Sequence, residues 1–295
     1  MQYLKYLILG IFLFPKIGFC QNNFEHEFLG VLFLNNDHSK MISYRLVFEE
    51  KNGKISGYSI TDLDGDHETK NIISGVYDRK SNIFSFKEED ILYTKSSYEE
   101  NSFCYINFEG NLKKIESKSR LEGNFTGTFK NKKKCIDGKL NLLGAAKVFE
   151  RLSKIDTKIQ KSKRIAPEVK EKTQMAKSLD SLKINKLSKD ENLNVFWKSA
   201  KAKFSIWDSG KEDGDIVTIY HNEKVILNKY KITNSKKVFE VEINEGLNTF
   251  KIIALNEGEI APNTVNIEIK DNERVFELMS NLKAGESSKI TIIKK

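Results

Sequence analysis

From position 24 to about 143, apolar and polar residues alternate with period two in short runs broken by turn residues. Ile42-Ser43-Tyr44-Arg45-Leu46-Val47-Phe48 and Ile55-Ser56-Gly57-Tyr58-Ser59-Ile60 each carry one apolar face, the pattern of a half-buried strand. Asn52-Gly53 stands between them. A type I′ turn takes this pair because both central residues need positive φ, so the two runs predict a hairpin. Further strands are predicted at 71–77, 83–87, 91–94, 103–108, 121–129 and 136–142. Strands that follow one another so closely predict an antiparallel meander, either an antiparallel β-barrel or a curled sandwich, since both protect its edges.

The period changes at Gly144-Ala145-Ala146. Val148, Leu152, Ile155 and Ile159 are spaced by four, three and four, so they share one face of a helix whose other faces carry lysine. Pro167 interrupts this stripe, and Glu168 suits the first turn of a second helix with a thinner stripe through Ala176, Leu179 and Leu182. From Phe196 onward, strands are predicted at 203–207, 216–220, 224–227, 230–232, 238–243, 248–255, 265–269, 274–278 and 289–293. Short strands with turn signals at intervals of about 8–12 residues predict an immunoglobulin-like β-sandwich, although the Cys…Trp…Cys core of antibody domains is missing. The chain thus reads as mainly β, with domains at 21–143 and 196–295 joined by a helical linker at 144–195.

Residues 1–20 add a compartment. Lys5 precedes an apolar run from Leu7 to Phe14, followed by Pro15 and a small-residue site at Gly18 and Cys20. A bilayer-spanning helix needs about 20 apolar residues, so this run reads as a signal peptide cleaved before Gln21, with no transmembrane segment left afterwards. A competing reading makes Cys20 a lipid-bearing cysteine, but the bulky Phe19 before it fits poorly in the tight pocket such processing uses. Beyond position 20 only Cys104 and Cys135 remain, and in an oxidising compartment they are expected to form a disulfide.

The formal charge of +8 is concentrated in one place. Residues 151–190 hold twelve Lys or Arg against five acids, a net +7, while the rest of the chain beyond position 20 sums to −1. The positive field therefore belongs to the linker, where it reads as a solubilising spacer. Lying on an anionic surface would need a larger apolar face, and nucleic acid is set aside because export and the lack of interleaved aromatics disfavour it.

Trp207-Asp208, Glu212-Asp213-Gly214-Asp215-Ile216-Val217, Tyr220, Asn222, Ala254-Leu255-Asn256-Glu257-Gly258 and Pro262-Asn263-Thr264 resemble an uncharacterised module at the ends of exported Bacteroidetes proteins. Gly57-Tyr58-Ser59-Ile60-Thr61-Asp62-Leu63 and Lys134-Cys135-Ile136-Asp137-Gly138 resemble a companion domain of flavobacterial type. The resemblance implies export and β-rich domains and brings no assigned activity.

Two acidic clusters could bind Ca²⁺. Asp62, Asp64 and Asp66 alternate as at the start of a calcium loop, yet His67 and Ile73 occupy the positions where an EF-hand needs Gly and Glu, so a solvated turn is the competing reading. Asp208, Asp213 and Asp215, around Gly210 and Gly214, read either as a calcium loop or as carboxylates capping backbone amides. Otherwise no cofactor is expected. His26, His38, His67 and His221 fall in no zinc pattern, and no G-x-S-x-G elbow or free cysteine nucleophile is present, so no catalytic residue is nominated. The expected function is a non-catalytic secreted or envelope binding protein for a glycan, peptide or protein partner. The alternative is an extracytoplasmic hydrolase with carboxylates brought together in three dimensions.

Overall fold

A computed structural model of the chain describes residues 26–35, 37–166, 170, 186–271 and 274–294. The expected leader segment with Cys20 and most of the expected second linker helix lie outside these residues. Eight strands form the amino-terminal body: β1 (His26–Leu34), β2 (Asp37–Lys51), β3 (Lys54–Thr61), β4 (Thr69–Asp78), β5 (Ile83–Thr94), β6 (Tyr105–Asn111), β7 (Arg120–Thr128) and β8 (Lys134–Gly144). Each pairs antiparallel with the next, and β8 returns to pair with β1, so the meander closes as an up-and-down barrel. The expected hairpin is present: Lys51 faces Lys54, and Asn52 and Gly53 have φ of 54° and 80°.

The barrel is apolar inside and polar outside. Phe28, Tyr44, Leu46, Phe48, Phe84 and Phe86 pack in its interior, while Lys54, Lys87, Glu89, Asn107, Glu109 and Glu122 lie exposed on alternate positions. A transmembrane barrel has the reverse pattern. Gly110 and Gly123 face each other across β6 and β7, and a Cβ on Gly123 would lie 2.4 Å from the Gly110 Cα. The two strands approach here through a contact that only glycine allows.

One end of the barrel is plugged. Phe28 stacks on Phe48 at 5.8 Å, Phe48 meets Phe84 at 4.9 Å, and the β6–β7 connection folds its fully buried Leu112 over this end. Tyr77 Oη donates to the Leu112 carbonyl at 3.0 Å and holds that connection in place. The β1–β2, β3–β4, β5–β6 and β7–β8 connections gather at the opposite end.

Helix α1 (Ala145–Lys161) follows β8, as its stripe predicts, and its Val148 and Leu152 line a groove with Leu29, Val31 and Leu143 on the outer wall. The carboxyl-terminal strands are β9 (Lys186–Leu187), β10 (Asn192–Trp197), β11 (Lys201–Trp207), β12 (Ile216–His221), β13 (Lys224–Lys231), β14 (Lys237–Glu242), β15 (Gly246–Ala254), β16 (Asn263–Lys270), β17 (Val275–Leu282) and β18 (Ser287–Lys294). They form two layers, ordered β13-β12-β15-β18-β10 and β14-β11-β16-β17-β9, that share one core. Phe204 of one layer meets Phe250 of the other at 4.4 Å.

Several elements differ from the sequence expectation. The runs at 83–87 and 91–94 are one strand, β5, in which Glu89 and Leu92 are extra residues against β4. The runs at 224–227 and 230–232 are likewise one irregular strand, β13. β1 and β10 were not singled out. β1 is a near-continuous apolar run because α1 lies over part of its outer face, which hides the period-two signal, whereas β10 is short and buried on both faces, its Asn194 included.

The two bodies meet along β5. Its outer half parts from β6, and Thr94 pairs with Asn194 of β10. Phe196 and Ile293 pack with Ile91, Tyr105 and Phe103 where the strands part, while Tyr93 joins the carboxyl-terminal core. Asn194 Nδ2 donates to the Ser96 carbonyl at 2.9 Å, and Lys95 pairs with Glu191 at 3.2 Å.

Candidate functional site

The unplugged end of the barrel opens into a cavity of about 460 Å³. Because strand residues alternate in and out, the same parity that carries Phe84 and Phe86 inward on β5 also carries Glu88 inward. Leu32, Leu34, Ile42, Ile106, Phe125 and Ile136 supply the apolar wall. Thr61, Thr69, Asn71 and Glu88 form its polar part, and Asp62, His67 and Phe103 stand at the loop end. His67 stacks on the exposed Tyr98 at 6.0 Å beside this opening. Volume and lining fall within the range of small-molecule sites, where a few placed polar groups orient a mostly apolar ligand.

Glu88 is buried in the cavity wall. Its Oε1 accepts from Tyr44 Oη at 2.8 Å and Ser59 Oγ at 2.6 Å, and its Oε2 accepts the Ile106 amide at 2.8 Å. The β5–β6 ladder ends at Lys87 and Asn107, so the Glu88 carboxylate takes the Ile106 N–H in place of a strand carbonyl. Burial pushes this carboxyl above its ordinary range, against the hydrogen bonds from Ser59, the Ile106 amide, Tyr44 and Asn71 that favour the charged form. Tyr44 is in turn pushed well up by burial and by the neighbouring Glu88.

The disulfide expected between Cys104 and Cys135 is formed, with Cα atoms 6.2 Å apart. Cys104 immediately precedes β6 and Cys135 lies in β8, so the bond spans β7 at Gly127, where a Cβ would strike Cys104 Sγ at 2.4 Å. It thereby ties together the strands that carry Ile106, Phe125 and Ile136.

The first acidic cluster is a turn built around its own backbone. Asp62 Oδ2 accepts the His67 amide at 3.0 Å, and Asp64 N donates to Glu68 Oε2 at 2.6 Å. Glu68 is buried, and its other oxygen takes the Tyr93 hydroxyl at 2.9 Å. In the second cluster Asp208 Oδ1 accepts the Gly210 amide, Asp213 Oδ2 the Ile260 amide and Asp215 Oδ2 the Thr264 amide. Asp213 Oδ1 and Asp215 Oδ1 are buried with no hydrogen-bond partner. Burial, helped by Asp213 and Asp208, pushes the Asp215 carboxyl up to about 6 despite the Thr264 amide. Among the described residues no group of three or more His, Cys, Asp or Glu is placed to hold a metal ion.

A wider trough of about 780 Å³ crosses the outer face of β12, β15 and β18, lined by Tyr220, Thr249, Lys251 and Ile253 among others. None of these four side chains is fully buried, and the trough encloses no polar centre comparable with Glu88.

The sequence reading did not find the cavity or Glu88. It took Glu88-Glu89-Asp90 for a charged turn between two strands. The inward parity of Phe84, Phe86 and Glu88 was the signal available. Comparison with protein-family models, curated proteins and solved structures finds no match, so the functional reading rests on geometry. Among the described residues no helix is long and apolar enough to cross a membrane.

Proposed function

We propose that this chain is a non-catalytic binding protein of the cell envelope or exterior, and that its barrel cavity holds a small, predominantly apolar ligand. The observation that carries this reading is the unequal filling of the barrel: aromatic side chains plug one end, whereas the other keeps an apolar-walled space of about 460 Å³ around one buried carboxyl. Eight strands enclose an interior either just filled by side chains or able to hold one small ligand. The Cys104–Cys135 bond supports an oxidising compartment. The two-layered carboxyl-terminal body, which we read as immunoglobulin-like in architecture, serves here as a platform against the barrel seam.

The hydrolase alternative receives less support. Among the described residues lining the cavity the carboxyl groups are Glu88, already engaged by several donors, and Asp62, turned to the His67 amide. Titration with the neutral fluorescent probe N-phenyl-1-naphthylamine tests the binding reading. Saturable one-to-one binding is expected, and Ile136→Trp, which places a large ring in the cavity, should weaken it at least tenfold. Absence of saturable binding, or an unchanged affinity in the Trp variant, overturns the proposal.

A further inference from the structure

We infer that the cavity selects amphiphiles with a cationic ammonium head, and that Glu88 is the group that receives this head; the inference rests on the cavity being a ligand site. Tyr44, Ser59, Asn71 and the Ile106 amide all engage Glu88, and all four are neutral. Among the described residues lining the cavity there is no lysine or arginine. The other titratable side chains there are Asp62 and His67 at the opening and Tyr105, whose parity on β6 directs it away from the interior. Among the described residues, Glu88 thus has its hydrogen bonds made and meets no counter-charge in the cavity.

The distinction decides the ligand class. A carboxylate offers about four lone-pair sites. With four donors present, a neutral hydroxyl head gains little unless it displaces one of them. A cation favours the ionised carboxylate that burial disfavours and is attracted to it without displacing a donor, because attraction between opposite charges is strong where water is excluded. A carboxylate head would be repelled by the same charge. The aliphatic wall of Leu32, Leu34, Ile42 and Ile136 suits the tail, which places the head toward Glu88 at the cavity floor.

The test displaces N-phenyl-1-naphthylamine from the full-length oxidised protein with three chain-matched competitors, decylammonium, decanol and decanoate, below their aggregation concentrations. Decylammonium is expected to compete about tenfold better than decanol, the size of a charge-assisted interaction, and better still than decanoate. In Glu88→Gln that advantage should shrink to within about threefold. Equal competition by all three in the wild type, or a preference for decanoate, overturns the assignment without any variant being needed. Retention of the ammonium preference in a folded Glu88→Gln protein overturns the role of Glu88. If the probe itself never binds, the cavity reading falls and this inference falls with it, an outcome distinct from the other two.

Discussion

Asp215 shows how a single residue can set a pH dependence. Its folded-state carboxyl sits at about 6 against an ordinary 3.8, because it is buried beside Asp213 and Asp208 and one of its oxygens has no donor. Since the folded value is raised, the associated stability is fully present below 3.8 and is lost as pH rises through about 6. Asp215→Asn keeps an acceptor for the Thr264 amide and removes the charge. It should match the wild type near pH 4 and exceed it at pH 7.5 by about 1–2 kcal/mol in urea unfolding, below the ~3 kcal/mol of the full shift because the surroundings of a buried charge relax around it. Equal stability at both pH values would show that the charge is already compensated. Gly123→Ala tests the barrel wall: its Cβ would meet the Glu109 carbonyl at 2.1 Å, an overpacking expected to cost about 3 kcal/mol or more by the same measurement.

At the level of elements, the disulfide and the bulged strand matter most. Cys104 and Cys135 close a loop across a separation of 31 residues. Replacing both by alanine should cost about 3–4 kcal/mol on the chain-entropy estimate, read as a lowered urea midpoint under oxidising conditions. This pair was legible in the sequence because only these two cysteines lie beyond position 20. The hairpin at Asn52-Gly53 was legible for an equally local reason, since its turn needs positive φ at both positions. The path of β5 was not. A bulge leaves no compositional mark that separates it from a turn, so Glu88-Glu89-Asp90 looked like a break. What holds the strand through it is pairing with β4, residues 69–78, and the enclosure of Glu88 by Tyr44 and Ser59 from β2 and β3.

Across the whole molecule, the barrel and the two-layered body share a narrow junction centred on β5 and β10. Phe196 fills the gap where β5 leaves β6, packing near Phe103 at 6.3 Å. Phe196→Ala should cost about 3 kcal/mol, typical of emptying an aromatic site. Calorimetry should then resolve two unfolding transitions where the wild type shows one. A single undivided transition in the variant would mean that the bonds of Asn194 and Lys95 suffice to couple the bodies. The sequence by itself determined the mainly β character, the cysteine pair, the helix after Gly144 and the position of the basic stretch, because each follows from side-chain order within a few neighbouring residues. Only the tertiary structure decided that the meander closes, that one end of it stays open, that β5 serves both bodies and that, among the described residues, Glu88 lies without a counter-charge inside. Those features depend on which strands meet across long separations and on what the resulting enclosure excludes, and local periodicity carries no record of either.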